Sequence, residues 1–565
     1  MTARWRAAPS GQPWHQSWVV PVLLLLLMAF SIHLLPLSFS SYPFNNDSLV
    51  EGRAAREILD TGELALPWAN NQTSTHSEST PAWNLVLAFF GGVLGMDPMF
   101  ASQWAVAAMA PVAALTVYLL LLNICRDRKA ALMGSFFITL FGTFVYLTAS
   151  GWKESIGVAL YFLLIYVYTR RDLMPMKFVL ILVLLTLPFV HHLIALVAYM
   201  TVLFLTGWSL VFAAAHGVTK RRHVEDTLII VLFCALALGY YGFVSFDKLS
   251  YIGSASSLLL LLGTMLLFFL GATVILLLPS HLKFTFAPIP AALIVILAYA
   301  DYNGKAFDYT PSTSAFNYYL IAVAGAITLF FAWYGLEYVI ESKSRYRAVP
   351  IGLLLPPLTL MGFALMSPTV EDKHQLIYRT FDMADPAIAL GLGIAIFALF
   401  EKKRLKRYAP IIAAGVIALL LTTLPYGLYT EEFTGVRHDT QKFEMEAFEW
   451  VKDSHWNETP YIWTDERLSF IAWTVYDLNR NNLLPYRLVQ NLSFVPGDYN
   501  IYEEYWSTRG VSDYPRGITQ PTPEFMDSVI YVQNVFYISG PTDDQLIIIQ
   551  HSWIGQIHNN WYYHD

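Results

Sequence analysis

Asp47 and Glu51 stand one helical turn apart in a polar stretch, Ser41-Tyr-Pro-Phe-Asn-Asn-Asp47-Ser-Leu-Val-Glu51, that follows the first apolar run of the chain. A carboxylate placed there could take the proton of a hydroxyl acceptor or hold a divalent cation such as Mg or Mn. A helix N-terminus beside it would favour a phosphate. Three other ionisable sets interrupt the apolar sequence: Lys153-Glu154, His191-His192, and the segment from Glu371 through His374 and Arg379 to Asp382. Lys153 could bind a phosphate, with Glu154 orienting the lysine or joining Asp47 on a metal. A histidine of the pair could hydrogen-bond a pyrophosphate or a sugar hydroxyl. Arg379 offers a planar fork suited to bidentate phosphate contact, and His374 would line the same site. Each set also has a purely structural role open to it. Asp47 and Ser48 fit helix capping, Lys153-Glu154 an interfacial ion pair, the histidines interhelical packing, and Arg379-Asp382 an ion pair at a helix end.

The elements that must position these residues are mostly membrane helices. The chain has 565 residues, of which 56% are hydrophobic and 14% charged, and its mean hydropathy is +0.46. That balance is typical of a polytopic membrane protein. The net charge of −7 argues against a nucleic-acid partner, and two cysteines exclude a disulfide framework and CxxC metal sites. Ser17–Pro36 reads as a retained first span. Basic clusters at Arg126/Arg128/Lys129, Arg170/Arg171/Lys177, Lys220–Arg222, Lys343–Arg347 and Lys402–Arg407 mark cytoplasmic loops. Placing them all inside gives about thirteen crossings, with the N-terminus in and the C-terminal region out. Pro81–Gly95 is too short and too polar to fit this parity as a crossing, so it is expected to lie in the interface or to re-enter. Sequons at Asn46, Asn71, Asn457 and Asn491 all fall in segments placed outside.

Residues 1–428 thus form a transmembrane domain whose first outer loop, 37–80, carries the candidate catalytic residue. Residues 429–565 form a mixed α/β outer domain. In that domain Glu446–Lys452 reads as an amphipathic helix, while Tyr461-Ile-Trp-Thr, Ser528–Gln533 and Leu546–Gln550 read as strands. In the first loop, Ser48-Leu-Val-Glu51 fits a capping box and Gly62 a stop, which predicts a helix from Leu49 to Thr61 lying along the membrane surface. Arg53–Glu57 and Arg56–Asp60 are expected i,i+4 ion pairs on it.

An N-terminal span followed by a conspicuous Asp and the helix Ala55-Arg-Glu-Ile-Leu-Asp-Thr-Gly62 resembles the GT-C superfamily of membrane glycosyltransferases. This superfamily includes the protein O-mannosyltransferases, aminoarabinose transferases and oligosaccharyltransferases. The resemblance covers Asn46–Glu63 in motif and the rest in architecture. It implies a GT-C-like fold and transfer of a sugar from a polyprenyl-phosphate-linked donor to a lipid, glycan or protein hydroxyl at the outer face of the plasma membrane. It implies Asp47 as catalytic carboxylate and basic residues of later outer loops on the leaving phosphate. Two departures stand out: Asn46 precedes Asp47 where many members carry paired acids, and the Trp-Trp-Asp signature of oligosaccharyltransferases is missing near Tyr461–Arg467. Transfer to asparagine is therefore not expected. A flippase for lipid-linked glycans is the competing class. It should carry charges at mid-membrane depth in several spans, whereas here they gather at span ends. A non-catalytic receptor is the third.

Overall fold

The computed structural model describes residues 18–64 (except 39 and 46), 80–211, 220–244, 255–278, 288–303, 315–341, 346, 348–367, 376, 379–380, 383–402, 405–428, 440–454, 461–481, 499–503, 506, 511–513, 517–519, 534–540 and 546–550. The four sequons, the strand expected at Ser528–Gln533, His374, Asp382 and the domain boundary at Tyr429 fall wholly or partly outside these residues.

The chain is an integral membrane protein built mainly of apolar helices. The first is α1 (Val19–Leu34). After it come α2 (Asp47–Thr61), α3 (Ala82–Leu94), α4 (Pro98–Cys125), α5 (Arg128–Thr139), α6 (Gly142–Ala149), α7 (Lys153–Thr169), α8 (Met174–Val190) and α9 (His192–Val211). Then follow α10 (Lys220–Val244), α11 (Ala255–Leu277), α12 (Pro288–Tyr302), α13 (Ala315–Ile340), α14 (Val349–Met366), α15 (Asp385–Glu401) and α16 (Ala409–Leu428). Seven described helices are long and apolar enough to cross a membrane, or eight if α5 and α6, bent by 65° at their junction, are one broken span. Small residues let the bundle close tightly. Ala387, Ala389, Gly391, Gly393 and Ala395 line α15, and a Cβ on Gly391 would lie 2.2 Å from the Ala332 carbonyl of α13. Such close backbone approach is the usual way membrane helices gain packing without a hydrophobic drive.

Polar contacts fix which helix ends lie together. The Asn123 amide at the end of α4 donates to Thr169 Oγ1 at the end of α7 (2.8 Å), and Arg170 and Tyr346 both donate to Asn123 Oδ1. Arg171 pairs with Asp226 of α10 at 2.7 Å. Basic clusters separated by more than two hundred residues thus share one end of the bundle, as the loop-charge argument requires. Lys153, at the start of α7, marks the opposite end.

α3 is short for a crossing helix. Its 13 residues extend only about 20 Å at 1.5 Å per residue, well short of the ~30 Å hydrocarbon. Near its start, Trp83 Nε1 donates to Gly151 O just ahead of α7 (3.0 Å). Just past its end, Asp97 pairs with Arg56 of α2. Both ends therefore sit at the α2 end of the bundle. α4 then makes the crossing alone over 28 residues, started by Asp97 accepting from Met99 N–H.

At that same end lies a mixed sheet with α17 (Lys442–Ser454) and α18 (Glu466–Tyr476). Its strands are β1 (Tyr461–Trp463), β2 (Asn479–Asn481), β3 (Tyr499–Glu503), β6 (Asn534–Ser539) and β7 (Leu546–Gln550), in the order β2-β1-β3-β7-β6. β2-β1-β3 run parallel, and β7 is antiparallel to both β3 and β6. β4 (Val511–Asp513) and β5 (Gly517–Thr519) form a separate antiparallel pair. The core of this unit, Phe448, Ile462, Ile471, Ile501, Tyr502 and Ile548 among others, is continuous with Leu49 of α2 and Met99 of α4. α2 is thus clamped between α3–α4 and α18. Arg53 reaches Asp477 at 2.7 Å, donates to Trp473 O and lies over the Trp473 ring, while keeping its expected contact with Glu57 at 3.5 Å. Arg56 turns to Asp97 instead of Asp60.

In a cysteine-free background, Glu63→Cys past α2 and Met96→Cys past α3 should react with an impermeant thiol reagent from one side of sealed vesicles. Lys129→Cys should react only from the other. Labelling of Met96→Cys from the side opposite to Glu63→Cys would make α3 a crossing helix.

Candidate active site

Asn45 determines how α2 begins. Its Oδ1 accepts the Asp47 N–H (2.9 Å) and its carbonyl accepts the Ser48 N–H (3.1 Å). The expected Ser48/Glu51 capping box does not form. Asp47 is instead the first residue of the helix, its carboxyl not needed for capping and half-buried, and Glu51 faces inward one turn later. Two close approaches seat this turn: a Cβ on Gly52 would lie 2.5 Å from Met99 Cα, and one on Gly151 would lie 2.3 Å from Ser48 Oγ. Leu49 is fully buried, which favours the seat by about 2 kcal/mol.

The sequence places Lys153 and Glu154 side by side, but the structure pairs each with a different partner. Successive helix positions point in different directions. The Lys153 ammonium donates to Glu51 Oε1 at 3.1 Å and to Thr80 Oγ1 at 3.0 Å, with both ends of the ion pair 5% exposed. Glu154 Oε1 is reached by His191 Nε2 at 2.9 Å and by Arg379 NH1 at 3.2 Å. His191 Nδ1 accepts the Ile194 N–H. That leaves the proton of the neutral ring on Nε2, the nitrogen that faces Glu154. Glu154 therefore orients Arg379 and not the neighbouring lysine, and neither member of the Lys153-Glu154 pair snorkels to water. Arg379 also lies 5.7 Å from the Trp152 ring centre and keeps a quarter of its side chain exposed, more than any other cation here. His192 stacks on His191 with ring centres 4.7 Å apart and turns its edge towards Tyr241.

These contacts leave Asp47 in an unusual position. Glu51 and Glu154 are each matched by a fixed cation, while Asp47 makes no ion pair among the described residues. Burial pushes its carboxyl up to about 6, with Glu154 and Glu51 adding to the effect and Arg379 and Lys153 opposing it. A carboxylate at that level is half-ionised near pH 6, mostly ionised at neutrality, and suited to accept a proton.

The same pairing bears on a divalent cation. Among the described residues no three His, Cys, Asp or Glu side chains are grouped to hold a metal. Glu154, expected to join Asp47 on a cation, is occupied by an arginine and a histidine. The donor set of the described residues does not fit such an ion, because two protein cations stand where its charge would act.

Asp47, Glu51, Lys153, Glu154, His191 and Arg379 are therefore brought together, as their types implied, and His192 lies at the margin. His374 lies outside the described residues. Sequence reasoning missed Asn45, Thr80, Trp83, Gln103 and Trp152. Only Gln103 gave a signal: an amide inside an apolar helix is costly in a membrane and calls for a reason.

No protein-family model and no curated protein sequence matches the chain. Solved structures do. An oligosaccharyltransferase of Archaeoglobus fulgidus in the apo form is similar over 96% of this chain and 76% of that chain, at 13% identity and a TM-score of 0.53. The archaeal oligosaccharyltransferase AglB of Archaeoglobus fulgidus, in complex with an inhibitory peptide and a dolichol-phosphate, is similar over 95% and 74%, at 14% identity and a TM-score of 0.52. ArnT from Cupriavidus metallidurans bound to undecaprenyl phosphate aligns over 95% and 99%, at 10% identity and a TM-score of 0.48, too low to carry an argument. The chain shares the membrane-protein fold of these oligosaccharyltransferase structures.

Lys153→Met strands the buried Glu51 carboxylate and should cost about 3–5 kcal/mol. Adding Glu51→Gln to it should recover most of that loss, since the pair is then removed whole. Thermal unfolding in detergent checks both. A double variant as unstable as the single would show that the two residues are not energetically paired.

Proposed function

We propose that this protein is a glycosyltransferase that moves a sugar from a polyprenyl-phosphate carrier to a hydroxyl acceptor. The observation that carries this reading is Asp47, the one carboxylate among the described site residues that has no ion pair, set beside two cations in a GT-C-type fold. Asp47 takes the acceptor proton as the acceptor oxygen bonds to the anomeric carbon. The bond from that carbon to the phosphate oxygen breaks, and the departing polyprenyl phosphate is held by Arg379, with Lys153 adding its charge. One displacement of this kind inverts the anomeric centre. No step is routed through a metal ion. A hydroxyl fits better than a carboxamide, since among the described site residues only Asp47 is left without an ion pair to act on the acceptor. The basic clusters at the far end of the bundle favour a site on the outer face of the plasma membrane, with the N-terminus cytoplasmic and the sheet domain, residues 429–565, outside.

Charge accounting yields further expectations. With all groups ionised the site holds three carboxylates and two cations, so an anionic donor should bind more tightly once Asp47 is protonated. Donor affinity should rise as pH falls through about 6, the level to which burial lifts Asp47. The rate should fall over the same range, because the base is lost. The acidic limb of kcat, which reports the donor complex, should lie above that of kcat/KM.

Asp47→Asn removes the base and should cost two or more orders of magnitude in transfer, the range for general-base loss. It should also stabilise the protein above pH 6. A carboxyl whose folded value is raised from 3.8 to about 6 favours the fold while protonated, and that contribution is lost as pH rises through 6. The gain should be on the order of 2–3 kcal/mol. Turnover of a radiolabelled polyprenyl-phosphate sugar, with unfolding curves, tests both, and near-normal turnover would return Asp47 to a structural role. EDTA should leave turnover unchanged. Restoration of chelator-treated enzyme by Mn would place a cation in the reaction and overturn the metal-free reading.

A further inference from the structure

The residues from Leu147 to Trp152, the last turn of α6 and its three-residue link to α7, are held through their carbonyls by side chains that include those of three helices. Leu147 O accepts from Trp152 Nε1 (2.7 Å) and Ser155 Oγ (3.3 Å), and Ser150 O accepts from Ser155 Oγ (2.6 Å). Gly151 O accepts from Trp83 Nε1 of α3 at 3.0 Å. Ala149 O accepts from Gln103 Nε2 of α4 at 2.9 Å, and the same nitrogen donates to His33 O of α1 at 2.8 Å. Two carbonyl partners identify that atom as the amide nitrogen. Gln103 therefore satisfies an orphan carbonyl at the end of α1 and another at the end of α6, a double termination of helices in an apolar interior. It is 1% exposed and Trp83 fully buried. Neither touches Asp47, Glu154 or Arg379 in any contact described above.

This turn is where the two halves of the site meet. Gly151 lies against Ser48, next to Asp47, and Lys153 and Glu154 follow directly, drawing Glu51 and Arg379 to them. We propose that Gln103 and Trp83 are positioning residues for the transfer reaction, holding the Ser150–Trp152 turn so that Lys153 and Glu154 face the first turn of α2. The energetic reason lies in the medium. A loose turn in water would be rebonded by solvent at little cost, whereas in this interior each freed carbonyl is unsatisfied. The turn therefore has one conformation, and the distances from Asp47 to its charged neighbours are set by it. This assignment rests on the transferase reading only for its kinetic consequence.

Trp83→Phe keeps the ring packed among Ala55, Leu87 and Val106 and deletes only the hydrogen bond to Gly151. Gln103→Leu keeps volume and deletes two. In both variants kcat for transfer should drop by about ten- to a hundredfold with the donor KM little changed, the scale for a misplacement of about 1 Å. A second readout needs no turnover: modification of Asp47 in the apo protein by a hydrophobic carbodiimide, followed by mass spectrometry across pH. The wild-type midpoint should fall near the value set by its charged neighbours, and in the variants it should move by about half a unit or more as those neighbours shift. Absence of transfer in the wild type would remove the transferase reading and leave this second readout to decide. Variants that lose only thermal stability, with the Asp47 midpoint unmoved, would overturn the proposal and make the two residues packing elements alone.

Discussion

Ionised side chains in a weakly polar interior must find opposite charges, and the arrangement at the α2 end of this bundle follows from that constraint. Glu51 is tolerated because Lys153 meets it, and Glu154 because Arg379 and His191 do. Those pairings draw the N-termini of α2 and α7, the junction of α8 and α9, and the segment ahead of α15 to one point. Asp47 is left over. Its elevated proton affinity comes first from burial, and no cation is reserved for it that would fully offset that effect. An interior that satisfied all three acids equally would be more stable and would have no base in it.

Much of this could be read from the sequence because charge in a membrane chain is conspicuous. Asp47, Lys153-Glu154, His191 and Arg379 stand out as ionisable groups at the ends of apolar runs, and the structure gathers them. Partner choice was legible only in part. Adjacent Lys153 and Glu154 invite pairing with each other, yet they diverge on a helix and take partners 102 residues back and 225 residues on. Arg56 has Asp60 within reach and chooses Asp97, because packing of α2 on α4 supplies a better-shielded acid. The capping box failed since Asn45, two residues before Asp47, already satisfies the first amide groups. β1 and β7 were visible as short β-branched and aromatic runs. Their order in the sheet was not, because pairing over long separations leaves no local trace.

Gln103 and Trp83 were hidden for the opposite reason. Both sit in sequences whose dominant signal is hydrophobicity, and their hydrogen bonds go to main-chain carbonyls rather than to chemically distinctive groups. What they provide is rigidity in a turn that contributes no catalytic atom of its own. Positioning of this kind depends on the medium as much as on the residues, since the same contacts facing water would hold far less.

The shared core of α2 with the sheet domain bears on how the protein is made. Ser40 bonds to a carbonyl 400 residues away, Arg53 to one 420 away, and Leu49 lies in a core assembled mostly beyond residue 440. A ribosome emits about 5–20 residues each second, so α2 waits tens of seconds after synthesis before the surface it docks on exists. The membrane helices insert during that interval without the α2 end of the bundle closed. A nascent or truncated chain therefore carries Asp47 in an unfinished setting, and competence arrives as a single late event, when α18 emerges and folds back.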